Sequence, residues 1–488
     1  MAKRSRGAKA SKKPGKRYSV AVTLLISVAA FLAIAFLILT PGDAIIRFFV
    51  AVAVLMISGR TIATANGIPN SYGAYLLGGK RGIKLIEGLS KKNPRLWIAF
   101  ADWGLAFSFG LASYFLFGRY VSKKMMALGI GTTLAVLFLV FPYLPVVLNF
   151  INIPQISSQA SAAAQPAQGV SPVFLIFAIA SILGGFSLST ILLIFISGGS
   201  ILYSVLLFLA SAVSSHPNTS ILTQQVPGVA PLIPGLTIPF FAGIISLFIL
   251  LVVHEFSHGV LAKIAKVRIK SIGAILFGIV PMGAFVEPDE SEVKKLKESY
   301  QNRISIAGVS ANMLTSLLFL VFTIIVLFYL LPSISTGGVL VTQAIKGYPA
   351  YGVIAPNSII LMWNSVQINN AYQLGAAEAG YTGGKVNVTT NEGTFALTPV
   401  TGGKIGIDVA PAQITLSYQA ANFIYAIVAL SFGLNFFVAI FNLLPIPGFD
   451  GWRIYQSKIK SKKVLKAIAI LLVLAILLNV LPWFWTIG

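Results

Sequence analysis

His254, Glu255 and His258 form the pattern H-E-x-x-H at the end of a long apolar segment. On a helix, positions four apart share one face, so both imidazoles can bind one zinc ion while Glu255 lies beside them as a general base for water. The chain has only three His residues, and shuffling would produce the pattern roughly twice in ten thousand trials. Paired histidines could instead satisfy polar groups between helices, but ionisable groups at membrane depth are functional by default.

The composition is typical of a membrane protein. Hydrophobic residues make up 56% of the 488 positions and charged residues 10%, with a mean hydropathy of +0.86, which excludes a soluble globular protein. The net charge of +23 would suggest nucleic acid in a soluble chain, but here Lys and Arg cluster beside apolar runs, as membrane orientation requires. We therefore expect the lipid bilayer, and no nucleic acid, as a partner. The absence of Cys leaves His, Asp and Glu as possible zinc ligands.

The motif is expected to lie within the membrane. About sixteen apolar residues run from Ile238 to His254, which places the histidine roughly 24 Å into a hydrocarbon core about 30 Å thick. A cluster of cations follows the motif at once: Lys263, Lys266, Arg268 and Lys270. By the positive-inside rule the far face is cytoplasmic, so the predicted metal centre lies nearer that face.

Two histidines need a third ligand, and Asp450 is the best candidate. A span of about 420–444 ends in the segment 442–451, where two Pro and two Gly residues interrupt the helix. Alone, an acid in such a turn is usually only a turn residue. The cations that follow place this turn on the cytoplasmic face as well: Arg453, Lys458, Lys460, Lys462 and Lys463.

Two elements between the motifs are expected to surround the site. Residues 271–287 are too short and too rich in Gly to cross the membrane twice, which predicts a hairpin dipping in beside the site. The next span, about 304–331, carries small residues at 307–311 that permit close helix contact, and Asn312 is expected to hydrogen-bond between helices.

The segment from Pro332 to about Thr415 differs in composition. It contains β-branched runs separated by turns, which predicts a water-exposed, mostly-β domain of about 80 residues. The pattern Gly347-Tyr348-Pro349-Ala350 is similar to that of a PDZ domain.

Two N-terminal apolar segments, about 96–117 and 125–150, leave their topology open. Three cations separate them: Arg119, Lys123 and Lys124. If both segments span the membrane, these cations face outward against the positive-inside rule; otherwise one segment is re-entrant. Asp102, in the first of these segments, is a lone intramembrane acid, and we expect it to have a structural role. The stretch 172–213 fits one tilted span or two short ones broken at Gly198-Gly199.

The expected fold is a polytopic α-helical membrane protein of about eight to ten spans with an inserted small, mostly-β, PDZ-like domain. The N-terminus is predicted to be cytoplasmic and the C-terminus extracytoplasmic. The predicted parts are a basic cytoplasmic tail (1–17), an N-terminal transmembrane region (18–226), a first core part with the motif helix and hairpin (227–332), an extracytoplasmic PDZ-like domain (333–415) and a second core part with Asp450 (416–488).

Over about residues 227–485 these motifs, in this order, resemble the site-2 protease family of intramembrane zinc metalloproteases, in the PDZ-containing archaeal or bacterial type. The resemblance implies that His254, His258 and Asp450 bind one zinc ion and that Glu255 is the catalytic base. It also implies that Asn442 contacts the substrate. The implied activity is cleavage of transmembrane segments in membrane-anchored proteins, as in regulated intramembrane proteolysis.

Two other function classes are weighed against this one. An ion-coupled transporter could use buried His and Asp, but such proteins usually show repeated halves, and the chain has no internal repeat. An inactive membrane scaffold would more plausibly have lost Glu255, which is present.

Overall fold

The structure, a computed structural model, describes residues 20–40, 44–78, 81–140, 143, 172–213, 218–223, 225, 227–229, 232–235, 237–334, 337–413 and 415–482. The predicted basic tail, residues 1–17, lies outside these ranges, and so does Gly488. Of the predicted span 125–150, the structure describes residues 125–140 and residue 143. The chain forms two compact units, one of Met1–Leu317 with Leu430–Gly488 and one of Leu318–Ala429. The predicted domain of residues 333–415 falls within the second.

Helices dominate the described residues. In chain order they are α1 (Val20–Leu39), α2 (Ala44–Ala65), α3 (Arg81–Lys92), α4 (Pro94–Phe109), α5 (Ser113–Phe117), α6 (Lys123–Leu139), α7 (Pro172–Val213), α8 (Ser220–Thr223), α9 (Phe240–Ile264), α10 (Glu290–Val293), α11 (Glu298–Ile325), α12 (Leu331–Ile334), α13 (Ala371–Ala379), α14 (Leu416–Phe441), α15 (Asp450–Lys458) and α16 (Lys462–Val480). The strands are β1 (Asn70–Ser71), β2 (Ala74–Gly78), β3 (Ile269–Phe277), β4 (Val280–Pro288), β5 (Val339–Ala344), β6 (Ile359–Trp363), β7 (Val366–Gln367), β8 (Val386–Thr390), β9 (Gly393–Leu397) and β10 (Ile407–Pro411).

Seven helices in the described ranges are long and apolar enough to cross a membrane: Val20–Leu37, Pro94–Phe117, Val173–Val213, Phe240–Ile264, Glu298–Ile334, Leu416–Phe441 and Lys462–Val480. They indicate an integral membrane protein with mostly helical structure. The apolar part of α2, Phe49–Ala65, is shorter, and α6 has 17 residues, so each is only about 26 Å long against a core of about 30 Å. The described part of the chain therefore holds fewer full spans than the eight to ten predicted.

Helix α4 ends at Gly110. Asp102 and Tyr120, on either side of it, both contact Arg303: the carboxylate at 2.7 Å and the Tyr120 carbonyl at 3.2 Å. Gly110 has φ 53 and ψ −139, which residues with a Cβ rarely adopt, and a Cβ there would lie 2.5 Å from the carbonyl oxygen of Ile182. The two topologies left open by the sequence stay predictions.

Asp102 is not the lone acid predicted from the sequence. Its carboxylate pairs with Arg303, which is 201 residues away in the chain. Local sequence could not show this partner, because only the packing of α4 against α11 brings the two side chains together.

The long helix α7 is broken at Gly185, and not at Gly198-Gly199 as one of the predicted alternatives had it. Gly185 has φ 65 and ψ −170, and a Cβ there would lie 2.2 Å from the backbone of Ser108. The close approach of α4 therefore determines where the helix breaks, whereas Gly198 and Gly199 stay helical.

The predicted membrane hairpin is an antiparallel pair of strands, β3 and β4, in which Ile272 lies opposite Val286. The sequence did not suggest that β2, from the N-terminal region, would pair with β3 through Leu76 and Ile275. The resulting sheet has the order β1-β2-β3-β4, which leaves β4 at one edge.

A buried apolar cluster fixes this sheet against the motif helix. It joins α3, α9 and the hairpin, and its buried members are Ile86, Val260, Ile269, Ile272 and Val286. Gly259 of α9 makes room for this packing, since a Cβ there would lie 2.6 Å from the Cδ1 of Ile86. The N-terminal helix α3 and the hairpin thus support the motif helix through shared contacts.

The second unit contains the sheet β10-β5-β6-β8-β9, with β7 paired to β6. Its core is apolar and includes Val341, Ile360, Trp363 and Val388. The mostly-β character expected for this segment is therefore present, and its likeness to a PDZ domain stays a prediction.

Candidate metal centre

Helix α9 places both motif histidines on one face. Pro239 precedes its first turn, and a mostly apolar run leads to His254 and His258. The two imidazole rings lie 4.9 Å apart between centroids, with planes at 72°, and their Nε2 atoms are 3.2 Å apart.

Asp450 reaches the same point from the turn after α14. The Gly451 amide donates to the carbonyl of Asn442 at 2.7 Å, and a Cβ on Gly451 would lie 2.3 Å from the Leu443 carbonyl oxygen. The turn therefore folds back tightly and ends at Asp450, which is the first residue of α15 rather than part of an irregular segment. A carboxylate in the first turn of a helix interacts favourably with the helix dipole.

The three candidate ligand atoms converge. The Oδ2 atom of Asp450 lies 3.2 Å from Nε2 of His254 and 3.3 Å from Nε2 of His258. Tetrahedral zinc, with bonds of about 2.0–2.2 Å, holds its ligand atoms about 3.3 Å apart. The Oδ2 atom is buried and has no hydrogen-bond donor among the residues that the structure describes. A cation bound between the three atoms fits this arrangement.

The proton on His258 is fixed by helix α11. Its Nδ1 lies 2.6 Å from the backbone carbonyl of Ile304, and a carbonyl can only accept a hydrogen bond. Nδ1 therefore carries the proton, and in the neutral ring Nε2 presents a lone pair to the centre.

His254 has the corresponding partner in Asn312, which confirms the predicted interhelical hydrogen bond. The amide Nδ2 lies 3.1 Å from Nδ1 of His254, while Oδ1 of Asn312 is buried with no partner in the described part of the chain. With the amide turned by 180°, Oδ1 would accept a hydrogen bond from Nδ1–H, and Nε2 of His254 would be unprotonated. Both rings then present lone pairs to the centre.

Gly308 lies directly beneath the two rings. A Cβ at this position would lie 2.4 Å from Cε1 of His254 and 2.6 Å from Nε2 of His258. The absence of a side chain is therefore required here by the imidazoles themselves, beyond the helix contact that the sequence suggested.

Glu255 is held by the hairpin. Its Oε2 accepts a hydrogen bond of 3.0 Å from the backbone N–H of Val286. This edge of β4 therefore faces the motif helix, and one carboxylate oxygen of Glu255 is oriented by a group that the sequence did not identify.

The connection after the hairpin is fixed by charge. Asp289 accepts hydrogen bonds from the Ser291 hydroxyl at 2.6 Å and from the Arg268 guanidinium at 2.9 Å. The Ser291 bond, and then the Arg268 bond, hold the pKa of Asp289 below its ordinary range. This carboxylate stays ionised and joins the ends of β3 and β4.

A cavity of about 840 Å³ is lined by the three candidate ligands together with Glu255 and Asn442. Its polar lining also includes Glu290, Lys294, Gln301, Arg453 and Gln456, and Arg453 pairs with Glu290 at 3.0 Å. Polar groups beside an otherwise apolar site provide a route for water.

The residues of α11 that contact the histidines lie at regular intervals. The sequence indicated Gly308 and Asn312 as helix-contact residues and missed Ile304. Ile304, Gly308 and Asn312 are spaced four residues apart, so they share one face of α11. That spacing, in the first span after the motif, was the available signal. Their contacts with the histidines were not visible, because they depend on how α11 packs against α9.

Helices of membrane length around a His, His and Asp cluster define a helical membrane protein with a candidate metal centre. Residues 242–481 match the profile of peptidase family M50, which confirms the resemblance seen in the sequence. A protein of Methanocaldococcus jannaschii, itself described as uncharacterized, is 31% identical over 240 residues. The match covers 47% of this chain and 61% of that protein, so the chain spans less than two thirds of its relative.

Replacing Gly308 with Ala is expected to weaken metal binding by roughly 10-fold or more, a typical effect of disturbing the groups around a metal ligand. The added methyl group must displace one or both imidazoles. Chelator competition on the purified protein measures this. Gly131→Ala on α6 is the control, because a Cβ there meets nothing within 4 Å. Equal affinities in the two variants would contradict the close contact.

Proposed function

We propose that this protein is an intramembrane zinc metalloprotease that cleaves transmembrane segments of membrane-anchored proteins. The observation that carries the proposal is the convergence of two imidazole Nε2 atoms and the Asp450 Oδ2 atom at 3.2–3.3 Å. The match to a peptidase family supports it. His254, His258 and Asp450 would hold one zinc ion and leave its fourth position open, as in catalytic zinc sites.

The remaining roles follow from the residues around the ligands. Bound zinc would lower the pKa of water to about 7 and polarise the scissile carbonyl. Glu255 would take a proton from the attacking water and deliver it to the leaving amide nitrogen. The Val286 N–H orients Glu255 by holding Oε2. Asn442 lines the same cavity, which supports the proposal that it contacts the substrate.

A transmembrane substrate must unwind locally, because a helix hides its peptide bonds from attack. The edge of β4 that faces the motif helix could pair with the unwound segment by strand addition. Transport is not favoured, since nothing in the site requires ion coupling and the family is one of peptidases.

Asp450→Ala is expected to lose zinc, whereas Glu255→Gln is expected to keep zinc but lose peptide cleavage, because Glu255 is a base and not a ligand. Elemental analysis and cleavage of a model transmembrane peptide measure the two effects. Asp408→Ala, an exposed acid of β10, is the control and should retain both properties. Full zinc occupancy in Asp450→Ala would exclude the ligand assignment.

The proposed orientation has the N-terminus in the cytoplasm and Gly488 outside. Arg303 and Lys458 support it: they bind the backbone carbonyls of Tyr120 and Leu116, so the basic residues near 120 share a side with those after 458. A single Cys introduced at Lys460 is expected to react only with a probe that reaches the cytoplasmic side, a clean measurement in a chain without native Cys. Labelling only from outside would contradict this topology.

For the β domain we propose a role outside the chemistry, in which it screens substrates by size or by an exposed chain end. A PDZ-like domain would capture a chain end by strand addition, here at the loop 337–340. That position is not open to strand addition, because β5 is paired on both sides, with β10 and with β6. A peptide would have to add at an outer strand, β9 or β10.

Deleting residues 336–410 and joining the ends with a short linker is expected to leave cleavage of a short transmembrane peptide intact and to relax discrimination against substrates with bulky outer domains. The structure favours this design, because Val339 and Pro411 are paired neighbours in the sheet. Zinc content and thermal unfolding serve as controls for the fold. If the deletion protein keeps its zinc and its fold but cannot cut the short peptide, the domain is part of the catalytic site. If the domain is only a rigid spacer, its deletion leaves the discrimination between substrates unchanged.

A further inference from the structure

We propose that the buried ion pair of Asp102 and Arg303 is a positioning element for the metal centre. By clamping the start of α11, it sets the contacts of that helix with the two histidines. The inference rests on the proposed function and gives a role to the N-terminal helices, which lie outside the segment matched by the peptidase family.

The pair is bidentate. Nε of Arg303 donates to Oδ1 of Asp102 at 2.7 Å, and an Nη atom donates to Oδ2 at 2.9 Å. Both residues are buried, with exposed fractions of 6% and 9%. Two parallel hydrogen bonds fix the orientation of both side chains, so they fix α11 against α4 in translation and in rotation.

Further contacts from the N-terminal region hold the same turn of α11. An Nη atom of Arg303 also donates to the Tyr120 carbonyl at 3.2 Å, and the guanidinium carbon lies 5.5 Å from the centre of the Tyr120 ring. The next residue back, Asn302, donates from its amide to the Tyr120 hydroxyl at 2.8 Å. All these partners precede the family segment.

The clamp is adjacent to the metal centre in the chain. Arg303 is followed by Ile304, whose carbonyl accepts a hydrogen bond from Nδ1 of His258 at 2.6 Å. Gly308 and Asn312, one and two turns further along, touch the two rings. Because these groups belong to one rigid helix, a small shift of its first turn moves all three relative to α9.

Stability alone does not explain the pair. Replacing a buried ion pair with well-packed apolar residues is often neutral or stabilising, because the desolvation of two charges offsets their attraction. An apolar pair cannot fix the relative orientation of the two helices, because its contacts are not directional. An oriented pair beside a metal-ligand partner is the arrangement that a positioning role requires.

The test combines Asp102→Leu with Arg303→Met, which removes both charges together and leaves neither unpaired. We expect a folded protein whose zinc affinity is lower by about tenfold, as for other groups that orient metal ligands, and whose kcat falls while KM changes little. Chelator competition, thermal unfolding and cleavage of a model transmembrane peptide measure these quantities. Arg303→Lys keeps the charge but loses the planar fork, so it should weaken zinc binding in the same direction.

Glu378→Gln with Lys404→Met is the matched control. It removes another ion pair with a buried carboxylate, formed at 2.6 Å within the second unit, and should leave zinc affinity and kcat unchanged. A folded double variant at 102 and 303 with the zinc affinity and kcat of the parent protein would overturn the inference. If that variant does not fold, Arg303→Lys is measured instead, and a zinc affinity and kcat equal to those of the parent protein would again overturn the inference. A parent protein that binds no zinc would overturn the proposed function as well, so the two failures are distinguishable.

Discussion

Three lone pairs pointing at one another in an apolar surrounding repel unless a cation lies between them. Nε2 of His254, Nε2 of His258 and Oδ2 of Asp450 are arranged in this way at 3.2–3.3 Å. The other features of the site serve to maintain the arrangement. The Ile304 carbonyl accepts a hydrogen bond from Nδ1 of His258, and the Asn312 amide contacts Nδ1 of His254. The tight turn after α14 returns the carboxylate to the histidines.

The support for this centre comes from the N-terminal part of the chain. Helix α3 packs behind α9 in the cluster around Ile86, and β2 extends the sheet that ends in β4. At the other side of the site, the Ser187 hydroxyl of α7 lies 2.7 Å from the Tyr455 hydroxyl on α15. The N-terminal helices therefore contact each element that carries a ligand or the base, although the peptidase family segment begins only at residue 242.

The sequence predicted features that depend on residues close together in the chain better than features that depend on distant ones. The spacing of His254 and His258 within one helix is local, so their common face could be predicted. Asp450 could be proposed because two histidines lack a third ligand and the surrounding cations place it on the same membrane face. The partner of Asp102, the break at Gly185 and the pairing of β2 with β3 all depend on contacts between distant segments. Hydropathy and spacing contain no information about such contacts, so these features became visible only in the folded chain.

The hydrogen bond from Val286 to Glu255 links the proposed base to one position along a strand. If a substrate pairs with β4, its scissile bond is located by counting residues along the paired backbone, at about 3.3 Å per residue. Backbone pairing depends little on the side chains. The distance along the paired backbone would therefore set the cleavage position. Such an enzyme would cut at a fixed distance from where the substrate unwinds, and the ease of unwinding, more than the sequence at the cut, would decide which proteins are cleaved.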